Sequence, residues 1–171
     1  CGGMDLGFVQ AGFDVLWAND INGFACKTYA HNIGDHIIHG DITEIDYQSI
    51  HTADIIIGGC PCQDFSMLWK RGGVSTDRGN LYKNFVDLVA QKNPKVFVAE
   101  NVKGILTANK KQAIKQIIED FSDTGEIGYN TKAILVNFAN YGVSQLRERV
   151  LIIGVRKDLD VEFVAPQVLN T

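Results

Sequence analysis

The sequence predicts a doubly wound, mostly parallel α/β sheet that closes with an antiparallel strand pair at its C-terminal end. Three observations support this class. Short β-branched runs such as Ile55-Ile56-Ile57 alternate with longer stretches of helical period. No internal repeat or low-complexity tract interrupts the alternation. Glycine or polar residues stand where the runs end, at Gly2-Gly3, Asp20, Asp41, Cys62 and Glu100. Sheets of this class bind ligands beyond the carboxyl ends of their strands.

In chain order, Cys1-Gly2-Gly3 forms a glycine turn that opens a short helix ending at Gly12, a residue suited to a left-handed C-cap. Residues 13–18 read as an apolar strand that stops at Asn19-Asp20. Phe24, Lys27-Thr28 and His31 recur by threes and fours, which predicts a helix over 24–32. Ile37-Ile38 marks a brief strand before Gly40-Asp41-Ile42. Residues 53–57 form the buried strand that feeds Gly58-Gly59-Cys60-Pro61-Cys62-Gln63. There Pro61 fixes one torsion, and Gly58 and Gly59 are expected to let the chain bend. Residues 64–79 carry Gly72, Gly73 and Gly79 among scattered charges and read as a mobile loop. Leu81, Phe85, Leu88 and Val89 share a face of a helix over 81–92, which Pro94 stops. Residues 96–99 are a strand ending at Glu100-Asn101. Ile114, Ile117, Ile118 and Phe121 stripe a second helix over 110–121. Residues 132–136 and 150–155 read as strands, with a hairpin around 141–149.

A length of 171 residues suits one domain with a sizeable core. The 46% hydrophobic and 21% charged content excludes a disordered chain. No apolar run approaches the ~20 residues that cross a bilayer, and no basic-then-apolar leader opens the sequence. A cytoplasmic setting without a membrane partner is therefore expected. The four cysteines are too sparse for a disulfide framework. Cys60 and Cys62 flank one proline, too close for a relaxed disulfide. Cys-X-Cys alone does not make a zinc site. His36 and His39 read as exposed strand-end histidines, so no metal is expected. Trp17 is assigned to the core and Trp69 to the loop; Lys110, Lys111 and Lys115 are assigned to a solvated helix face. The net charge of −4 argues against an extensive basic nucleic-acid surface within these residues.

Two constellations carry chemistry. A glycine turn opening a helix lets a ligand approach the backbone, and an acid after the next strand can hold a ribose diol. Asp20 lies 17 residues after Gly3, near the ~20 expected for that role. This pattern alone fits nicotinamide, flavin or S-adenosylmethionine. Cys62 and Glu100 each follow an apolar strand and are expected at one sheet edge. There Cys62 would serve as an attacking thiolate and Glu100 as a proton donor.

Pro61-Cys62-Gln63, Glu100-Asn101-Val102 and Gln145-Leu146-Arg147-Glu148-Arg149 occur in this order after the glycine turn. With Asn19-Asp20, Gly40-Asp41-Ile42 and Arg78-Gly79-Asn80-Leu81, this series resembles the cytosine-C5 DNA methyltransferase family from Cys1 to about Val155. The resemblance implies a Rossmann-like methyltransferase fold and S-adenosylmethionine as cofactor. It implies that Cys1, Gly2, Gly3, Asp20, Ile21, Asp41, Ile42, Pro61 and Leu81 line the cofactor pocket. Asp20 would hold the ribose, Ile21 cover the adenine and Asp41 take its amine. Cys62 would be the nucleophile, Glu100 the partner of the cytosine edge and Arg149 a donor to the ring oxygen. Arg147 would support the thiolate or a phosphate. Double-stranded DNA is the implied substrate, with the target base flipped out and residues 64–79 closing as a lid. A prokaryotic modification enzyme, nucleoid-associated when bound to DNA, is the implied setting. The chain is expected to be one catalytic domain lacking its first strand and its target-recognition domain. A further domain or a second chain would carry recognition, and the polypeptide alone would be weak or inactive. The same motifs admit a tRNA-methylating relative or a non-catalytic half of a split enzyme.

Overall fold

The computed structural model describes residues 2–59 and 81–169. It divides into two compact units, residues 1–53 and 54–171. Cys1, Cys60, Pro61, Cys62, Trp69 and the predicted loop over 64–79 lie outside the described residues.

In the first unit, helix α1 (Gly3–Gln10) is followed by strand β1 (Ala18–Asp20), helix α2 (Gly23–Asn32) and strand β2 (Ile37–His39). The helix ends as its glycine suggested: Gly12 has φ +90° and Phe13 N–H bonds back to Phe8 O. The apolar run over 13–17 is not a strand, and its Phe13 and Leu16 are exposed. β1 extends only where β2 supplies a partner, in parallel register from Ala18↔Ile37 to Asp20↔His39. Extended conformation without a ladder leaves backbone groups unpaired, so the strand is no longer than its neighbour. Trp17 is half-buried rather than a core residue.

The second unit is built on a mixed four-stranded sheet of order β3-β4-β6-β5. Its strands are β3 (Ile55–Gly58), β4 (Val96–Val102), β5 (Tyr129–Asn137) and β6 (Glu148–Arg156). β3 and β4 are parallel, whereas β4–β6 and β5–β6 are antiparallel. β5 and β6 form the C-terminal antiparallel pair. β4 does not stop before Glu100: its register with β6 continues to Val102↔Arg149. A nine-residue β6 supplies the ladder for that extension, a long-range partner that local sequence does not reveal.

Helix α3 (Leu81–Lys92) precedes β4, and helix α4 (Gln112–Ser122) follows it. Both helices enter one core cluster with Phe97, Ala99, Val150 and Ile152. Tyr82 rather than Leu81 is buried on α3, its hydroxyl donating to Asp120 Oδ2 at 2.9 Å. α4 starts at Gln112, not Lys110, because Asn109, Lys110 and Lys111 have φ of 46°, 54° and 71°. Gly58 and Gly59 do not adopt positive φ. Gly58 is instead required for space: a Cβ there would lie 2.7 Å from Phe85 Cε2.

Tyr129 anchors the far side of this core. It is 1% exposed and donates its hydroxyl to Pro94 O at 2.8 Å. Burial pushes its phenol up to about 12, against ~10 in an unfolded chain. Between those values the unfolded state has lost the proton that the folded state retains. Stability from this group is therefore intact below about pH 10 and falls as pH rises toward about 12. Tyr129→Phe should lose about 1–2 kcal/mol at neutral pH and show a shallower loss above pH ~10. Denaturant midpoints measured across alkaline pH would check this; equal slopes in the two proteins would contradict it.

Candidate active site

The first unit offers two acids at the carboxyl edge of its parallel pair. Asp20 ends β1, and its Oδ1 accepts from Asn22 N at 2.8 Å. That bond fixes the carboxylate while Oδ2 takes no part in it. Asn22 in turn caps α2 through Phe24 N and Ala25 N. Asn19 donates to the carbonyls of Ile38 and Gly40, and Gly40 N bonds Asp20 O. These bonds tie the two strand ends together. Asp41 follows β2; the Thr43 N–H and hydroxyl donate to its Oδ1 at 2.9 and 2.8 Å. The backbone bond first, and the hydroxyl second, hold this carboxyl below the usual range. Ile21 is 66% exposed beside Asp20, Ile42 is half-buried, and His39 Nε2 lies 3.1 Å from Ile21 O. A Cβ built at Gly3 or at Gly40 meets nothing within 4 Å. Open backbone at Gly40, a fixed acid and an uncovered apolar side chain thus stand at one edge, which leaves room for a ligand. His36 is not an exposed strand-end residue; it is half-buried and 3.0 Å from the Tyr29 hydroxyl.

The second unit carries the acid and the guanidinium groups. Strand pairing dictates which side chains can meet. Glu100 lies opposite Leu151, and Val102 opposite Arg149. Alternation then puts Glu100 and Arg149 on one side of the sheet, away from Phe97 and Ala99. Arg147 stands just before β6. Arg149 Nε lies 2.9 Å from Glu100 Oε1, and Arg147 Nη2 lies 3.5 Å from the same oxygen. Arg149 Nη1 also donates to Glu148 O at 2.8 Å. The Glu100 and Arg149 side chains are 21% and 23% exposed, whereas Arg147 is 41% exposed. Two cations on one carboxylate leave a net positive site, suited to charge that develops on a bound ring or to a phosphate. Glu148 is separately engaged by Lys103 at 2.9 Å.

β3 meets this cluster. Its last residue pairs with Ala99, one position before Glu100, and a Cβ at Gly59 would lie 3.8 Å from Glu100 Oε2. The described chain resumes at Leu81, which is half-buried at the start of α3. Among the predicted site residues, the structure brings Glu100, Arg147 and Arg149 together, and ties Asp20 to the strand end that precedes Asp41. The sequence reading missed Asn19 as the tie between strand ends. An amide at a strand terminus gives only a weak turn signal on its own.

The α/β fold carries two tied acids, Asp20 and Asp41, after the parallel strands of its first unit, and a guanidinium-flanked carboxylate on a sheet face of its second. The chain belongs to the C-5 cytosine-specific DNA methylase family, which matches residues 1–170. It is 56% identical over 169 residues to the Type II methyltransferase M.NgoFVII of Neisseria gonorrhoeae, covering 98% of this chain and 44% of that protein. It is 40% identical over 170 residues to the Type II methyltransferase M.MthTI of Methanothermobacter thermautotrophicus, covering 99% and 50%. A solved Dnmt2 methyltransferase from S. pombe superposes with a TM-score of 0.71 at 20% identity, covering 95% of this chain and 50% of that one, a likeness of fold. The chain spans about half the length of the curated relatives it matches.

Proposed function

We propose that this chain is a catalytic and cofactor-binding domain that transfers a methyl group from S-adenosylmethionine to C5 of cytosine in duplex DNA. The observation that carries the reading is the convergence of Glu100, Arg149 and Arg147 on one face, beside Gly59 just past the end of β3. Cys62 follows Gly59 by three residues. The relatives' names, Type II methyltransferases, support a modification enzyme of the restriction–modification kind, working on DNA in a prokaryotic cytoplasm. The doubly wound, Rossmann-like reading of the fold belongs to this proposal.

Cytosine C5 is too weakly nucleophilic to accept a methyl group unaided. The Cys62 thiolate adds to C6, which breaks the C5–C6 double bond. Glu100 relays a proton from water to N3, so the ring becomes an enamine with electron density at C5. Arg149 donates to the ring oxygen and stabilises negative charge as it develops. Arg147 keeps the site positive beside the thiolate or the flanking phosphate. S-adenosylmethionine, when bound, supplies the electrophilic methyl for C5. Water then takes the C5 proton, the C5–C6 double bond re-forms as the thiolate leaves, and N3 gives its proton back through Glu100. C6 is inaccessible in a stacked duplex, so the base is flipped into the site, at a cost of a few kcal/mol. Within the first unit, Gly2, Gly3, Asp20, Ile21, Asp41 and Ile42 would hold the nucleoside part of the cofactor.

In the full-length protein, Arg149→Ala should reduce kcat/KM for methyl transfer to duplex DNA by about 10²–10³-fold. Arg149→Lys, which keeps the charge but loses the fork, should recover only part of it. Glu100→Gln should lower kcat by about 10²–10⁴-fold with little change in DNA affinity. Nucleoside analysis of the product should show 5-methylcytosine. Methyl groups found only on exocyclic amines, or an Arg149→Ala enzyme of full activity, would overturn the reading.

A further inference from the structure

One hydrogen-bonded chain in the first unit has no part in the chemistry above. Tyr29, in α2, is 2% exposed. Its hydroxyl lies 2.6 Å from Asp5 Oδ2 in the first turn of α1, and 3.0 Å from His36 Nε2 just before β2. A phenol has a single proton. That proton is committed to the Asp5 carboxylate, so His36 Nε2 carries its own hydrogen and donates to the phenol oxygen. The His36 ring meets the Tyr29 ring edge-on, centroids 5.5 Å apart at 87°. Burial first, and the Asp5 bond second, push the Tyr29 phenol upward, so it remains a neutral donor at any physiological pH.

The same tyrosine seats the glycine turn. Gly2 caps α1 with φ +78°, and no side chain caps that end. A Cβ at Gly2 would collide with Ile33 Cδ1 and lie 2.7 Å from Tyr29 Cδ2, so the backbone rests on the ring and on Ile33 beside it. Three residues later, Asp5 is tied to the hydroxyl of that ring. α1 buries none of its residues, so apolar packing holds it only weakly. Ring and hydroxyl together give the exposed helix a two-point attachment at its N-terminal turn.

We propose that the Asp5–Tyr29–His36 chain fixes the Gly2-Gly3 turn in its cofactor-binding position, and that Tyr29 is thereby a positioning residue for S-adenosylmethionine. This rests on the proposed function, which makes Gly2-Gly3 a cofactor contact. The turn must present open backbone to the ligand, and a turn free to shift would spend part of the binding energy on ordering itself.

The test uses the full-length protein with Tyr29→Phe, which keeps the ring under Gly2 and deletes both hydrogen bonds. Calorimetric binding of S-adenosylmethionine should weaken roughly tenfold, while kcat at saturating cofactor stays within about twofold. Amide exchange at Leu6, whose N–H donates to Gly2 O at 2.9 Å, should accelerate in the cofactor-free protein. A lower melting temperature with unchanged cofactor affinity would make Tyr29 merely structural and overturn the inference. If Tyr29→Phe does not fold, the pair Asp5→Ala and Asp5→Asn decides. The asparagine keeps an oxygen acceptor and should bind nearly as the parent does; the alanine should weaken binding. Equal affinity in both Asp5 variants would overturn the inference. A parent protein that fails to bind S-adenosylmethionine would sink the proposed function. Leu6 exchange then decides whether Tyr29 pins the turn, and unchanged exchange would overturn the pinning as well.

Discussion

Replacing Cys62 with alanine is expected to reduce methyl transfer to duplex DNA by on the order of 10⁴-fold or more. The loss should appear in kcat, with the melting temperature and the affinity for S-adenosylmethionine nearly unchanged. The reason is electronic. Without an addition at C6, the ring keeps its aromatic stabilisation and C5 has no enamine density to offer. The proposed roles of Glu100 and Arg149 would remain available, but with no C6 adduct for them to act on. Serine at this position should not restore the rate. A hydroxyl is far more weakly ionised than a thiol of pKa ~8.5, and the guanidinium cluster beside Glu100 does not close that gap. Single-turnover methylation with labelled cofactor would measure the effect. A Cys62→Ala enzyme within tenfold of the parent would remove the nucleophile from the mechanism.

The second large effect is on stability. Phe97→Ala should destabilise the protein by about 3–5 kcal/mol, a substantial part of the ~5–15 kcal/mol that holds a typical domain folded. Phe97 is 0% exposed and lies at the centre of an aromatic cluster. It stacks on Phe121 with centroids 4.1 Å apart, and meets Tyr129 and Phe85 edge-on at 5.2 and 6.2 Å. Removing the ring leaves a cavity that three aromatic neighbours, fixed on α3, α4 and β5, cannot all move to fill. The strand opposite is already adapted to this ring: a Cβ at Gly154 would collide with it. Chemical denaturation should therefore show a much lower midpoint for Phe97→Ala. Because Glu100 lies three residues further along the same strand, its contact with Arg149 should loosen as well, and activity should fall before global unfolding. A change below about 1 kcal/mol would contradict the assignment of Phe97 to the centre of the core.

The helices around this core were readable from local pattern. The stripe Phe85, Leu88, Val89 and the stop at Pro94 predict α3 with the bounds it has. Ile117 and Phe121 are buried on α4 as their spacing predicts. What local pattern missed depends on partners distant in sequence. β4 runs to Val102 because β6 pairs with it there, and residues 13–17 are no strand because β2 offers only three residues to pair with. Gly58 reads as a bend residue in one dimension. In three dimensions it makes room for Phe85, as Gly154, which carried no signal in the sequence, does for Phe97. The site follows the same division. The residue types of Glu100, Arg147 and Arg149 were recognisable from the motifs. Their meeting on one Oε1 is a consequence of antiparallel register. Tyr29 was invisible in sequence, because a tyrosine within a helical period looks like core until its hydroxyl partners are seen.

The most direct measurement uses full-length protein, S-adenosylmethionine and duplex DNA carrying 5-fluorocytosine at the target. Fluorine cannot leave C5 as a proton does, so elimination fails and the enzyme remains attached. Mass spectrometry of the digested complex should find the modified base on the peptide containing Cys62, and no complex should form with Cys62→Ser. A covalent complex on another residue, or one that persists in Cys62→Ser, would contradict the account.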